Sequence, residues 1–250
     1  MSITDVEGII TKETKYGDSS RIITVITKEL GKISILAGNV RRGKHGLLNA
    51  TSLFSHSKFI IFKGGSSSLY KLNDAELITS FSSIKESLEA MAFASYLCDI
   101  ENSVIPENSP EEAQYLLLLR SLYLLAKPNV NFEKIKAVFE FRTLYINGLM
   151  PDLTHCGDCG SNTKLTELNI FDGALYCTNC SENHQNSYKI NDSILSALSY
   201  IVVSEETKVF SFNMSETAIN YLSSLGEKSI EVLLDKRFKT LDYLRNVTSL

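Results

Sequence analysis

Tryptophan is absent from this chain of 250 residues, and only four prolines and five cysteines are present. Long apolar runs are also absent, since the longest one, at residues 115–119, is far shorter than the roughly 20 apolar residues of a membrane helix. The first residues lack the basic and then apolar order of a secretion signal. We therefore expect a cytoplasmic protein, in which cysteines stay reduced and bind metal more often than they form disulfides.

The sequence motifs of common enzyme active sites are missing as well. There is no G-x-x-x-x-G-K-[ST] phosphate-binding loop, no G-x-S-x-G nucleophile turn and no H-E-x-x-H metal motif. The H-x-E segment that zinc deaminases carry ahead of their cysteines is also missing. The histidines, which have no evident acidic or nucleophilic partner, are His45, His56, His155 and His184. These absences predict a binding protein rather than an enzyme.

Acidic residues are missing from one long stretch of an otherwise slightly acidic chain. The formal net charge is −4, yet residues 1–80 hold eleven Lys and Arg against seven Asp and Glu, and no acidic residue lies between Leu30 and Asn73. The cations of that stretch are Lys32, Arg41, Arg42, Lys44, Lys58, Lys63 and Lys71. Two interpretations are open, a solvated face or a surface for a polyanion. In either case we expect any neutralising carboxylates to come from a neighbouring domain.

The hydrophobic pattern changes from strands to helices near residue 80. Before it, β-branched and alternating apolar runs are separated by glycine-containing turns. Such strands predict a small barrel, either an oligonucleotide-binding (OB) barrel or an SH3-like one. After it the apolar spacing is helical, with Ser109 expected to cap one helix and Gly148 to end another. We expect an α+β multidomain fold, with a β-barrel domain at residues 1–80 and an α-helical domain at residues 81–250.

Four of the five cysteines form two pairs, each with two residues between its members, and seventeen residues separate the pairs. They are Cys156, Cys159, Cys177 and Cys180. This spacing predicts a four-cysteine knuckle at about residues 150–185, inserted in the helical domain, that binds one structural Zn²⁺ and leaves no position for a catalytic water. An iron–sulfur cluster and a thioredoxin-like redox centre are alternatives, and His155 or His184 could replace a sulfur ligand. Cys98 lies on an apolar helical face and is expected in the core.

Three segments, taken together, resemble one protein family. The first combines G-K-I-S at residues 31–34 with R-R-G-K at residues 41–44. The second runs from L-M-P-D-L at residues 149–153 into the first cysteine pair, and the third is F-D-G-A-L-Y-C at residues 171–177. Their order and spacing resemble the RecO family of bacterial recombination mediators over nearly the whole chain.

The resemblance implies an OB-fold barrel, a helical domain and a zinc knuckle that some family members lose. It further implies a nucleoid-associated DNA repair protein that binds single- and double-stranded DNA and anneals complementary strands. Such a protein would help to load RecA, together with RecR, at gaps coated with single-stranded-DNA-binding protein.

The residues expected to carry these functions follow from charge and ring chemistry. The predicted DNA-binding residues are Lys32, Arg41, Arg42, Lys44, His45, Lys58 and Lys63. The candidate base-stacking aromatics, for which a core position is the alternative, are Tyr16, Phe54 and Tyr70. The C-terminal tail of single-stranded-DNA-binding protein is acidic and would need a cationic rim. The candidates for that rim, with ordinary exposed charges as the alternative, are Lys236, Arg237, Lys239 and Arg245.

Two other classes of function stay open from the sequence. An OB barrel can also bind RNA and act in translation, which a comparison of single-stranded DNA and RNA affinities at matched salt would detect. A zinc-containing adaptor whose helical domain binds proteins would show no salt-dependent DNA binding. A metal-dependent enzyme is disfavoured because four thiolates saturate the ion.

Overall fold

The computed structural model describes residues 3–18, 20–38, 45–64 and 69–249, without the side chains of residues 45 and 46. The strands are β1 (Ile3–Tyr16), β2 (Ser20–Thr27), β3 (Gly31–Ala37), β4 (His56–Lys63), β5 (Tyr70–Thr79), β6 (Leu165–Asn169), β7 (Ala174–Cys177) and β8 (Tyr188–Lys189). The helices are α1 (His45–Ala50), α2 (Ser82–Glu86), α3 (Leu88–Val104), α4 (Glu112–Leu125), α5 (Phe132–Ile146), α6 (Asp192–Val203), α7 (Glu216–Leu233) and α8 (Lys239–Thr248).

Contacts divide the chain into two compact units. The first comprises residues 1–130 and 238–250, and the second comprises residues 131–237. The predicted domain boundary at residue 80 falls between the last barrel strand and α2. That two independent domains meet there stays a prediction. No helix within the described ranges is long and apolar enough to cross a bilayer.

The first unit is built on a closed five-stranded barrel. Its strand order is β1-β2-β3-β5-β4, and β4 pairs with β1 to close the ring. The neighbours are antiparallel except for a short parallel pairing of β3 with β5. Buried and half-buried residues alternate along β3, because successive side chains point to opposite faces of a sheet. The expected OB-fold barrel is therefore confirmed in preference to an SH3-like one.

A β-bulge in β1 changes which of its side chains face the barrel interior. The interior is filled by Val6, Ile10, Ile23, Val25, Ile33, Ile35, Phe59, Ile61 and Tyr70. The register of β1 against β2 shifts between Ile10 and Lys12. Since a bulge inserts one residue, Lys12 pairs with Thr24 and faces outward although Ile10 faces inward. The remainder of β1, at residues 12–16, then continues as a hairpin with β2.

Helices of the first unit pack against the barrel and against each other. The Thr11 hydroxyl is 2.7 Å from the side-chain oxygen of Asn102 in α3, and α8 packs on α3. Cys98 is 1% exposed, as expected, and burial raises the pKa of its thiol.

The expectation that Ser109 caps a helix is wrong, because α4 begins at Glu112 with Glu111 at the cap position. The backbone of Ser109 instead packs against Gly31. A Cβ on Gly31 would lie 1.8 Å from the Ser109 carbonyl oxygen, and the φ of Gly31 is +66°. Ser109 therefore lies against the barrel and outside α4.

The second unit joins α5, α6 and α7 to a three-stranded sheet with the order β7-β6-β8. Gly148 follows α5 with a φ of +70°, as expected for a helix end. Between α5 and α7 lies a buried ionic cluster, formed by Lys136 with Glu133, Glu140 and Glu227. The side chains of Lys136 and Glu140 are completely buried. Gly226 of α7 allows this packing, since a Cβ there would lie 2.3 Å from a carboxylate oxygen of Glu140.

Candidate metal centre and nucleic-acid surface

Two turns and one strand bring the four paired cysteines together. The first knuckle follows α5, and it is closed by hydrogen bonds from the Cys156 amide to the Ser161 carbonyl and from the Gly160 amide to the Cys156 carbonyl. The Gly157 amide donates to the Leu175 carbonyl of β7 at 2.8 Å. Since β7 ends at Cys177, this bond ties the first knuckle directly to the second.

The four sulfur atoms have the spacing of a tetrahedral metal site. They all lie within 4.8 Å of one another, and the sulfurs of Cys159 and Cys177 are 3.8 Å apart. Zinc–sulfur bonds of about 2.3 Å in a tetrahedron place the sulfurs about 3.8 Å apart. The ligand set predicted from the sequence therefore converges on one point.

Local hydrogen bonds favour the thiolate form of Cys156. Burial opposes ionisation of Cys156, but hydrogen bonds from the backbone amides of Cys159, Cys177 and Asp158 outweigh it and lower the pKa to about 6. Hydrogen bonds with the Cys159 and Cys177 thiols raise the pKa of Cys180 to about 12. A divalent cation would replace the protons shared among these sulfurs.

His184 lies beside the cysteine cluster, and both of its ring nitrogens face carboxylates and not the sulfurs. Its Nε2 lies 2.8 Å from Asp158 in the first knuckle, and its Nδ1 lies 3.2 Å from Asp172 in the β6–β7 turn. The ring also stacks on Tyr176, with 3.5 Å between the ring centroids. The hydrogen bond with Asp158 is the main cause that raises the pKa of His184. His155 is exposed and bonds with Asp152, so neither histidine joins the sulfur cluster.

The barrel carries one outer surface rich in acidic side chains, here named the carboxylate face. It lies on β1, β4 and β5, where cross-strand pairing places Lys58 between Glu7 and Glu76 and places Ile60 between Asp5 and Asp74. A groove of about 450 Å³ on this face is lined by those carboxylates and by Glu29. The expectation that only a neighbouring domain could supply neutralising carboxylates is therefore wrong for Lys58, because the adjacent strands place Glu7 and Glu76 beside it.

The structure describes three of the predicted DNA-binding residues, and each has different surroundings. The ammonium of Lys32 donates to the Asn102 carbonyl at 2.8 Å. Lys58 is exposed on the carboxylate face. Lys63 is exposed, with its ammonium 5.1 Å from the centroid of the Tyr70 ring. The DNA-binding assignment of all three stays a prediction.

The most basic part of the predicted DNA surface lies outside the described residues. Arg41, Arg42 and Lys44 belong to that part, and so does the side chain of His45 at the start of α1. The chain enters this segment from Gly38, directly after β3.

The three candidate stacking aromatics differ in exposure. Phe54 is 1% exposed and Tyr70 is 9% exposed, so both are core residues, whereas Tyr16 is 55% exposed at the end of β1. The sequence left both placements of Tyr16 open, and the bulge after Ile10, which changes the facing of every later residue in the strand, directs it outward.

Three histidines have carboxylate partners that the sequence did not reveal. Besides His155 and His184, the buried His56 has its Nε2 2.9 Å from Glu7 and 2.9 Å from the Tyr115 hydroxyl. The expectation of no acidic partners is wrong here because the partner of His56 is 49 residues away in sequence. Burial is the main cause that lowers the pKa of His56, against the effect of Glu7.

The four C-terminal cations fall in two different units. Lys236 and Arg237 end the second unit, whereas Lys239 and Arg245 belong to α8 in the first. Arg245 is 3.7 Å from Asp242. Their role as a binding rim for an acidic tail stays a prediction.

Comparisons with known proteins cover almost the entire chain. The family model described as recombination protein O, N terminal, matches residues 1–81, and the model described as recombination protein O, C terminal, matches residues 85–242. The DNA repair protein RecO of Acetivibrio thermocellus is 34% identical over 255 residues, which cover 99% of this chain and 98% of that protein. The DNA repair proteins RecO of Alkaliphilus metalliredigens and Symbiobacterium thermophilum are 29% and 28% identical, over 96% and 100% of this chain and over 98% and 99% of their own lengths. This chain therefore belongs to the RecO family of DNA repair proteins.

Proposed function

We propose that this protein is a non-catalytic mediator of DNA repair and recombination. It binds single- and double-stranded DNA, anneals complementary strands and helps to load RecA at gaps that single-stranded-DNA-binding protein covers. The observation that carries this proposal is the OB-like barrel, whose β3 leads straight into the R-R-G-K segment. Barrels of this type bind oligonucleotides on their strands and loops. A mediator of DNA repair of this kind acts in the cytoplasm, at the nucleoid.

The proposed contacts with DNA are mainly electrostatic. Arg41, Arg42 and Lys44 stand in a segment without carboxylates, and His45 follows directly. Contacts of this kind bind phosphates, release counterions and read no sequence. A mediator that anneals any pair of complementary strands needs this independence of sequence, because the bases must stay free to pair.

The proposed cofactor is one structural Zn²⁺ per chain. One feature supports zinc over the alternatives, since the four sulfurs have the spacing of a single tetrahedral ion. The ion would hold the two knuckles together and would take no part in chemistry. With four thiolates bound, it has no free coordination position for a substrate.

The proposed protein partners are RecR and the acidic C-terminal tail of single-stranded-DNA-binding protein. The family supports both, and the cations Lys236, Arg237, Lys239 and Arg245 support a site for the tail. A fluorescent tail peptide should bind the full chain more weakly after all four are replaced by alanine. Unchanged binding would remove these residues from the tail site.

The function is tested by annealing two complementary oligonucleotides. We expect the Arg41→Ala/Arg42→Ala/Lys44→Ala variant to lose roughly 50-fold in single-strand affinity near 0.15 M salt, since each lost phosphate contact contributes about 0.7 to the salt slope. Annealing should slow accordingly, with folding and metal content unchanged. The matched control, Lys127→Ala/Lys208→Ala/Lys228→Ala, removes the same charge from exposed lysines that do not belong to the barrel strands.

The same assay separates the competing functions. A protein that binds single-stranded RNA much more tightly than DNA at equal salt would be a translation factor of the OB type. A protein that binds neither nucleic acid would be an adaptor. If the control variant slows annealing as much as the barrel variant does, the effect is one of net charge alone.

A further inference from the structure

We propose that single-stranded DNA runs along the outer face of the β1–β2 hairpin and β3, and that Tyr16 stacks on one of its bases. This inference rests on the proposed function and specifies where on the barrel it takes place. The surface, here named the hairpin face, is formed by Lys12, Thr14, Tyr16, Ser20, Ile22, Thr24, Ser34 and Leu36.

Strand register defines the hairpin face. Lys12 pairs with Thr24, Thr14 with Ile22, and Tyr16 with Ser20. On the other side of β2, Ile22 pairs with Leu36 and Thr24 pairs with Ser34. Directly paired residues point to the same side of a sheet. Since Ile23, Val25, Ile33 and Ile35 fill the barrel, the residues between them in β2 and β3 must face outward together with their partners in β1.

Charge distinguishes the hairpin face from the carboxylate face. The side chains on the hairpin face, all within the described part of the chain, include no Asp or Glu, since the exposed Glu13 pairs with Ile23 and points to the other side of β1. Asp18 lies beyond them in the turn that joins β1 to β2. On the carboxylate face, Asp5, Glu7, Asp74 and Glu76 border one groove. A polyanion is repelled by that groove and meets no such repulsion on the hairpin face.

The hairpin face also ends where the basic segment begins. Arg21 of β2 pairs with Ala37, the last residue of β3, and Gly38 follows it. The tip of the hairpin therefore lies beside the point from which the chain enters residues 39–44. At the other end of the same strands, α3 covers the sheet, because Lys32 and Thr11 both bond to Asn102. The part of the sheet that α3 leaves uncovered extends toward the tip of the β1–β2 hairpin, and the proposed DNA strand follows it.

Tyr16 has the position of a stacking residue on this path. It is 55% exposed, although an aromatic side chain gains more by burial in the core. Lys12 is exposed on the hairpin face and can contact a flanking phosphate. Arg21 is already engaged, since it is buried and forms a 2.9 Å ion pair with Glu13. Stacking on Tyr16 tolerates any base, which suits a protein that anneals any sequence.

The absence of tryptophan gives a direct test of the stacking. In Tyr16→Trp the new indole is the only tryptophan of the protein, and we expect its fluorescence to be quenched when oligo(dT) binds. Tyr243→Trp, which replaces a 45% exposed tyrosine of α8, is the matched control and should keep its fluorescence. Tyr16→Ala should bind oligo(dT) about 5- to 100-fold more weakly.

Two further outcomes decide against the proposal in different ways. If Tyr16→Trp binds oligo(dT) by anisotropy without any change in its fluorescence, the stacking inference is wrong and the proposed function stands. If the unmodified protein binds no DNA at all, both fail.

The path along the face is tested with single lysine variants. Lys12→Ala should lower the slope of log affinity against log salt by about 0.7, whereas Lys127→Ala, at an exposed position outside the barrel, should leave that slope unchanged. A slope that Lys12→Ala leaves unchanged would overturn the proposed path.

Discussion

Replacing Cys177 by serine will release the bound metal and unfold the small sheet of the second unit. Cys177 ends β7 and lies 3.8 Å from the sulfur of Cys159. Its loss leaves three ligands and removes one of the metal–sulfur bonds that would hold the two knuckles together. Because structural zinc contributes about 10 to 16 kcal/mol in zinc-finger peptides, we expect its loss to outweigh the buried apolar contacts of this sheet. We expect about one zinc per chain in the parent protein and almost none in the variant.

Elemental analysis and amide hydrogen exchange measure the two effects separately. Exchange should increase throughout residues 150–189 of the variant, and the barrel should keep its protection. Cys98→Ala is the control, since it removes the buried cysteine that stands outside the cluster and should keep its zinc. Iron with visible absorption in the parent protein, or a protein purified without chelators that contains no metal, would contradict the zinc assignment.

Replacing Lys136 by methionine will destabilise the second unit by about 3 to 5 kcal/mol, because it leaves buried carboxylates without their cation. The ammonium of Lys136 lies 2.7 Å from Glu227, 3.6 Å from Glu133 and 3.7 Å from Glu140. Burial alone would lower the pKa of Lys136, but these three carboxylates outweigh it and raise the pKa. The lysine is therefore charged at neutral pH.

Urea unfolding followed by circular dichroism gives the loss in unfolding free energy. Lys228→Met, at an exposed position of α7, should change it by less than about 0.5 kcal/mol. The double variant Lys136→Met/Glu140→Leu should recover much of the loss, since an apolar pair can replace a buried ion pair. A single variant as stable as the parent would show that the buried cluster contributes no net stability.

Local sequence patterns predicted those parts of the protein that depend on neighbours in sequence. The alternation of apolar and polar residues in β3 predicted its inward and outward sides. The pairs of cysteines predicted a common cluster, because each knuckle is closed by short-range turns such as the one from Cys156 to Gly160. Gly148 ends α5 as expected, since a left-handed residue after a helix is a local requirement.

Features set by pairing of distant segments could not be predicted in this way. The carboxylate face depends on the register that brings Glu7 and Glu76 beside Lys58, and no spacing within the cationic stretch contains that information. Ser109 is a good cap by residue type, but contact with Gly31 decides its conformation. The facing of Tyr16 depends on one bulge in β1, which a pattern of period two does not reveal.

The central claim, that the barrel binds DNA through phosphate contacts, is tested most directly by the affinity for a labelled oligo(dT) over a range of salt concentrations. For the parent protein we predict a straight line of log affinity against log salt. The Arg41→Ala/Arg42→Ala/Lys44→Ala variant should give a slope smaller in magnitude by up to about 2, because up to three single-strand contacts of about 0.7 each are lost. Identical slopes and affinities for the two proteins would contradict the account and would place the DNA surface elsewhere on the chain.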